Sequence, residues 1–322
     1  MDPKGSKMLV TAGEILVEIM ATRIGQTFLE PGPLVGPFPS GAPAIFIDQA
    51  ARLGQACGMI AAVGADDFGT LNVERLKASG VDTSAIAMLP GVPTGTAFVR
   101  YAADGSRAFV YNIPLSASGH IATTPEARAL LDRADHFHVM GSSLFSPAVI
   151  EVVEDAIRAV KAKGGTVSFD PNIRREMLDL PGMREALASV LASSDLFLPS
   201  GSELFLFARA EDEAGAVAEL LDRGVAAIVL KKGADGAVHY DRDGRTAMSA
   251  FAAEEIDPTG AGDCFGAGFV CAWLRGAGPA EALRVANACG ALAVGAKGPM
   301  AGTGTLAEIQ SLIETGQRES GR

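Results

Sequence analysis

The sequence predicts an α/β protein, a mostly parallel central sheet flanked by helices, with a small β lid. From about Ala122 onward, short apolar runs bounded by Gly, Pro and Asp alternate with longer stretches of helical periodicity, the pattern of βαβ units. Two segments nearer the start break that rhythm with extended stretches and a turn signal. The chain has 322 residues, 48% of them hydrophobic and 20% charged, enough to bury the large core that such a sheet requires.

In chain order, "ILVEIM" (Ile15 to Met20) is an extended stretch, and "TGTAFVRYAADGSRAFVYN" (Thr94 to Asn112) reads as two strands joined by a turn at Asp104-Gly105. Together they make the lid, within segments of approximately 15–38 and 94–115. "HFHVM" (His136 to Met140), "TVSFD" (Thr166 to Asp170), "DLFLP" (Asp195 to Pro199) and "AAIVLKK" (Ala226 to Lys232) read as buried strands. Helices fall between them near Pro147 to Lys163, Met183 to Ala192 and Glu213 to Arg223, a spacing that fits right-handed crossovers. There is no internal repeat, low-complexity stretch or linker, so residues 8–315 are expected to form a single domain, and "GQRESGR" a frayed tail.

The 27 Lys and Arg against 38 Asp and Glu leave a net charge of −11, which repels phosphate backbones and anionic lipid. No nucleic-acid partner is expected. No run approaches the ~18 apolar residues of a membrane span, and "MDPKGSKMLV" lacks the apolar core of a signal peptide, so the expected location is the cytoplasm and no membrane partner is expected. Cys57, Cys264, Cys271 and Cys289 have no metal-ligand spacing and read as buried apolar residues.

"IDPTGAGDCFGAGFV" (Ile256 to Val270) carries the chemistry. Thr259-Gly260-Ala261-Gly262 reads as a tight turn, and Asp263 as the first turn of a helix running through Phe265, Phe269, Val270 and Trp273. Such a turn presents backbone N–H groups at the positive end of the helix dipole, an anion hole. A carboxylate there repels a static phosphate, and makes sense if it takes a proton from a hydroxyl attacking that phosphate. The motif alone allows a plainer reading, in which Asp263 complements the dipole and the glycines permit close packing. There is no GxxxxGK[ST] and no GxGxxG after a strand.

The longer pattern "DPTGAGDCFGAGF" resembles the D-T-x-G-A-G-D signature of the ribokinase family of carbohydrate kinases, also called the phosphofructokinase-B family. Further matches follow in the family's order: Gly13-Glu14, "PSGAPAIFIDQAARLG" from Pro39, "AAVGADDFG" from Ala61, "LKASGVDTSAI" from Leu76, "DPNIR" from Asp170, and "ANACGALAVGAKG" from Ala286. The resemblance spans nearly the whole chain and implies a ribokinase-like fold, ATP as co-substrate, Mg2+, and a small sugar as acceptor. It implies that Asp263 is the catalytic base and that the backbone of Gly260, Ala261 and Gly262 holds the transferred phosphoryl. It places Lys231, Gly233 and Gly236 of "LKKGADG", and Ala286, Asn287 and Gly290, around the nucleotide. Asp257 falls near a monovalent-cation site, where K+ would act, although an Asp before Pro equally shapes a turn.

Departures from the family pattern mark what is particular to this chain. Ser200 of "SGSE" stands where the family often has Asn, while Glu203 keeps the acid that would act on Mg2+ indirectly. In the sugar motif, Ser40-Gly41-Ala42-Pro43-Ala44-Ile45 puts Ile45, which cannot hydrogen-bond a hydroxyl, at a position often held by Asn, and Glu18 replaces a shorter Asp. Gly41, Ala42, Glu18, Arg100, Tyr111, Asn172 and Arg174 are the expected sugar-side residues; Arg107 joins them as a lid cation that could meet a sugar acid. If the turn requires φ > 0 at Gly262, a branched residue there would be resisted. "GEILVEIM" and "DPNIR" lean toward the fructokinase, tagatose kinase and 2-keto-3-deoxygluconate kinase branch. The expected reaction is phosphorylation of a primary hydroxyl, with fructose or tagatose preferred and 2-keto-3-deoxygluconate the alternative. A non-catalytic sugar-binding regulator would have lost the base or the anion hole, and neither is lost. Apolar "AFV" in both lid strands, at Ala97 to Val99 and Ala108 to Val110, predicts a homodimer through the lid.

Overall fold

The computed structural model describes residues 7–104, 106–173, 178–179 and 182–316. The first half of the chain forms β1 (Leu9–Ala12), β2 (Leu16–Ala21), β3 (Leu34–Ser40), α1 (Ala42–Arg52), β4 (Cys57–Gly64), α2 (Asp67–Ser79), β5 (Ile86–Leu89), β6 (Gly95–Tyr101) and β7 (Arg107–Asn112). Next come α3 (Pro125–Arg133), β8 (His136–Met140), α4 (Pro147–Ala162), β9 (Thr166–Asp170), α5 (Met183–Ala192), β10 (Leu196–Phe197), α6 (Glu213–Asp222) and β11 (Ala227–Lys231). The chain closes with β12 (Ala237–Asp241), β13 (Gly244–Met248), α7 (Ala261–Leu274), α8 (Pro279–Val294) and α9 (Leu306–Thr315).

A nine-stranded sheet runs β13-β12-β11-β10-β9-β8-β1-β4-β5. Every pairing from β5 to β11 is parallel, and β12 and β13 add an antiparallel hairpin at one edge. One apolar core, with Phe46, Met59, Phe265 and Leu283, packs α1, α2, α7, α8 and α9 against one face. The other, with Phe137, Val153, Leu187 and Leu220, packs α3 to α6 against the opposite face. A second sheet, β3-β2-β6-β7, stands apart as the lid.

Local sequence explains why these helices begin where they do. Thr124 and Ser146 accept the N–H of Ala127 and Val149, capping α3 and α4, and each is followed by Pro, whose missing donor costs nothing there. Helix α4 then buries a single stripe, Val149, Val152, Val153, Ala156, Ile157 and Val160. Helix α7 is buried on nearly every side, because it packs between α1 and α8. A Cβ on Gly268 would lie 2.8 Å from Cys289 Sγ and 3.0 Å from Ala286 Cα, so the glycine sets that close helix approach. All four cysteines are buried, and burial pushes their thiols up, which leaves them as apolar filling.

The expected strands at His136 to Met140 and Thr166 to Asp170 and the helix at Met183 to Ala192 occur with those limits. The strand expected at Asp195 to Pro199 shrinks to Leu196–Phe197, since the chain turns at Pro199 into a short 3-10 helix, Gly201–Leu206. The lid contains a strand the sequence obscures: β3 holds Pro37 and Pro39, tolerated because it is an edge strand with one pairing partner. No described helix is long and apolar enough to cross a membrane.

Candidate active site

The carboxyl ends of β9 and β11 meet the amino end of α7, the position where open α/β sheets place ligands. Gly260 caps α7 at φ 82, and a Cβ there would lie 2.6 Å from the Pro299 carbonyl oxygen and 3.1 Å from Ile45. Only glycine fits. Ile45 is buried behind this turn. Asp257 holds the turn from below, with Oδ1 accepting the Thr259 N–H and Oδ2 the Gly298 N–H, both at 3.0 Å. Its carboxylate thus does the turn-shaping that an Asp before Pro suggests.

Gly262 does not have positive φ; the left-handed position is Gly260. What Gly262 provides is room. A Cβ there would meet a single neighbour within 4 Å, Lys231 Nζ at 3.9 Å. The space in front of Gly262 is therefore bounded by an ammonium group and by the first amides of α7, which have no partner within the helix. That combination fits an anion.

Asp263 is 7% exposed and accepts a hydrogen bond from Asn172 Nδ2 at 3.0 Å. Its pKa is pushed up to about 8, first by burial and then by Asp170, with Glu14 and Glu18 adding to the effect and Lys231 opposing it. Asp170, the last residue of β9, is fully buried, and its Oδ2 accepts Lys231 Nζ at 2.5 Å. Burial lifts Asp170 to about 6 against the pull of Lys231. For Lys231, burial works against the charged form but the Asp170 carboxylate outweighs it, so the ammonium is held above its ordinary range. The ion pair persists at neutral pH.

Glu203 accepts the Ser200 N–H at 2.6 Å and the Ile173 N–H at 2.8 Å, capping the 3-10 helix and anchoring the loop after β9. Ser200 lies beside Lys231 through an isolated parallel bridge. Gly233 and Gly236 occupy the turn between β11 and β12 with φ 59 and 92. A Cβ on Gly236 would overlap the Met248 carbonyl. Asn287 Nδ2 reaches the carbonyls of Met248 (3.4 Å) and Ser249 (3.2 Å), tying α8 to the segment after β13. Ala286 is fully buried against α7, and a Cβ on Gly290 would lie 3.6 Å from Ala261 O and 3.7 Å from Phe265 Cβ, so their smallness serves helix packing. Ala286 is thereby removed from the expected nucleotide contacts.

On the sugar side, Gly41 begins α1 at φ 112, where a side chain would overlap the Glu14 carbonyl; Ala42 follows it in the first turn. Ser40 Oγ donates to Glu18 Oε1 at 2.8 Å, and Ser143 Oγ donates to Glu14 Oε2 at 2.5 Å. Both glutamates are buried. In the lid, Glu18 pairs with Ala97 and Ala97 with Tyr111, which places Tyr111 on the Glu18 face, stacked on Phe109 at 5.1 Å. Arg107 is on the same face and its Nη1 donates to Thr259 Oγ1 at 2.7 Å, joining the lid to the turn before α7. Arg100 alternates to the opposite face with Phe98 and Val110, so it is not brought to the pocket. Arg174 and the Gly105 of the expected lid turn lie outside the described residues.

Sequence alone assigns no role to Glu14, to Asp170 or to the reach of Arg107 to Thr259. The first two sit inside recognised motifs, and Asp170 carried a usable signal, an acid at a strand end immediately before Pro. Arg107 and Thr259 are separated by 152 positions and carried none.

The sequence pattern of the pfkB family carbohydrate kinases matches residues 33–305. The chain belongs to that family. The kinase has 48% identity to an E. coli protein given the provisional name Ribokinase II, solved with ATP and Mg2+, with a TM-score of 0.92 over 96% of this chain and 99% of that one. It is 32% identical to a 2-dehydro-3-deoxygluconokinase of Thermoproteus tenax, over 95% of this chain and 94% of that protein. It is 29% identical to Fructokinase-1 of Oryza sativa subsp. japonica, over 96% and 98%. The kinase therefore has a ribokinase-like α/β fold and is an ATP-dependent carbohydrate kinase.

Proposed function

We propose that this kinase transfers the γ-phosphoryl group of ATP to a primary hydroxyl of a neutral ketohexose, fructose or tagatose, with Asp263 as general base. The observation that carries this reading is the placement of a buried carboxyl with a near-neutral pKa at the amino end of α7, beside the open space bounded by Gly262 and Lys231. The sugar hydroxyl gives its proton to Asp263 as its oxygen attacks the γ-phosphorus, and the bond to the β,γ-bridging oxygen breaks to release ADP. The α7 amides at Ala261 and Gly262 and the Lys231 ammonium stabilise charge on the phosphoryl oxygens.

Magnesium supplies charge neutralisation on the ATP phosphates. Among the described residues no group of three or more His, Cys, Asp or Glu could hold a metal ion, so Mg2+ would be held by phosphates and water. Glu203 would act on it from a distance, since both its oxygens already receive backbone N–H groups. Ser200 and Lys231, with the turn at Gly233 and Gly236, would face the nucleotide. A K+ ion near Asp257 would have to be held by carbonyls of the two segments that residue joins, and exchanging K+ for Li+ in the assay tests for it.

Glu14 and Glu18 support a neutral sugar. A sugar-acid carboxylate beside them would meet repulsion, while hydroxyls find acceptors. Arg107, the lid cation on that face, is engaged with Thr259. The 2-keto-3-deoxygluconate reading draws on the 32% identity to the Thermoproteus tenax enzyme. Steady-state kinetics with ATP, Mg2+ and each of fructose, tagatose and 2-keto-3-deoxygluconate separates the two. A neutral ketohexose is expected to give the highest kcat/KM; a preference for the sugar acid, abolished in Arg107→Ala, would reverse the assignment. We also infer a homodimer formed through the lid, supported by its outward face, where Leu34 and Val110 are exposed beside Phe28 and Phe98.

A further inference from the structure

Among the described residues Asn172 is the one non-glycine residue with positive φ, at 42°. Left-handed backbone at a non-glycine position is held only where its surroundings over-determine it, and such sites gather at functional centres. Here the surroundings are two carboxylates. Asp170 Oδ1 accepts the Asn172 N–H at 3.2 Å while its other oxygen holds Lys231, and Glu203 Oε1 accepts the next amide, Ile173, at 2.8 Å. The side chain that this backbone presents does not point to open space. Its Nδ2 donates to Asp263 Oδ1 at 3.0 Å and faces the Met140 thioether at 3.9 Å. The reversed amide would set its oxygen against a carboxylate, so the nitrogen belongs on this side.

We propose that Asn172 is a positioning residue for the base: its amide fixes Asp263 by Oδ1 and leaves Oδ2 to receive the proton of the sugar hydroxyl. This rests on the reading of Asp263 as base, and it changes the role expected for Asn172 from sugar contact to alignment. The acid cluster gives the contact a second purpose. Burial, Asp170, Glu14 and Glu18 all favour the protonated form of Asp263, and a hydrogen bond donated to the carboxylate works in the opposite direction. The buried pair of Asp170 and Lys231 transmits this alignment, because the carboxylate that binds Lys231 also fixes the Asn172 backbone.

The test uses Asn172→Gly, which keeps the left-handed backbone without strain and removes the amide. With the best ketohexose and ATP, kcat at pH 7 is expected to fall at least about 10-fold at unchanged KM for ATP, and the acid limb of the pH profile to move up by roughly one unit. Carbon-13 carboxyl NMR of aspartate-labelled protein, with Asp263→Asn to assign the resonance, reads the same upward shift without any sugar. Asn172→Asp, which keeps the shape and adds a negative charge, is expected to shift Asp263 further. An Asn172→Gly protein with unchanged kcat, acid limb and Asp263 titration overturns the proposal. If Asp263→Asn retains turnover the base reading itself fails; if it loses turnover while Asn172→Gly does not, the alignment role alone fails.

Discussion

Gly260 and Gly262 stand two positions apart and are expected to fail differently when replaced. Gly260→Ala places a Cβ against the Pro299 carbonyl in left-handed backbone, so it should lower stability by about 1–3 kcal/mol, read as a reduced Tm. Gly262→Val meets open space and ordinary helical backbone, so it should fold with near-normal Tm yet lose about 10²-fold or more in kcat by filling the anion site. Asp263 has its own stability signature. Its folded pKa of about 8 lies above the ordinary aspartate value of 3.8, so the folded state retains the proton and stability falls as pH rises between those values. Asp263→Asn should therefore raise Tm at pH 8 relative to wild type, and the gain should shrink toward pH 4; an equal or lower Tm at pH 8 would speak against the buried acid. At this scale the motif disclosed Asp263 and the glycines before it. Asn172 was expected at the sugar and Asp170 was given no role, because the partners that define them lie 91 and 61 positions away.

Among the elements, β8 and β9 carry a polar ladder on a face otherwise lined by core side chains. His136 bonds Thr166 Oγ1 and Ser168 Oγ, and His138 bonds the same Ser168, each at 2.7 Å, while His138 stacks on Phe46 with ring centroids 3.7 Å apart. Burial lowers His136 to about 3 and places His138 well below the ordinary value. Unfolded histidines bind protons near pH 6.5, so this contribution is intact above that pH and is lost as pH falls toward 3, at up to about 1.4 kcal/mol per unit for each ring. Proton uptake by Asp263 and Asp170 works in the opposite direction between pH 7 and pH 5, so the test is a difference: over that range the urea midpoint of His136→Gln should fall less, or rise more, than that of the wild type. The apolar letters of "HFHVM" disclosed the strand, since alternation with a polar residue fits either face, but not that both histidines would be inside. Sheet structure was legible as apolar runs bounded by turn residues at β8 to β11, and went unread at β1, β4 and β5. It was obscured at β3, whose prolines look like a loop until its edge position is known, and at β12 and β13, a hairpin appended to a parallel pattern.

For the molecule as a whole, the four-stranded lid sheet has an outward face that remains incompletely buried, with Leu34 and Val110 exposed. Light scattering at micromolar concentration should report a dimer, and Val110→Asp, on the outward face, should yield a monomer; a wild-type monomer would remove the dimer from the account. Pairing between β2 and β6, far apart in sequence, is what brings Glu18 and Tyr111 to one face and turns Arg100 away. Sequence could name these residues but not their side of the sheet, because a strand's facing is settled by its register with its neighbours.

The most direct measurement is kcat for Asp263→Asn with ATP, Mg2+ and the best sugar, alongside its KM for ATP. Loss of at least about 10²-fold in kcat with KM for ATP nearly unchanged is the predicted result, because the substitution keeps size and removes basicity. A variant that keeps most of its turnover would contradict Asp263 as the base.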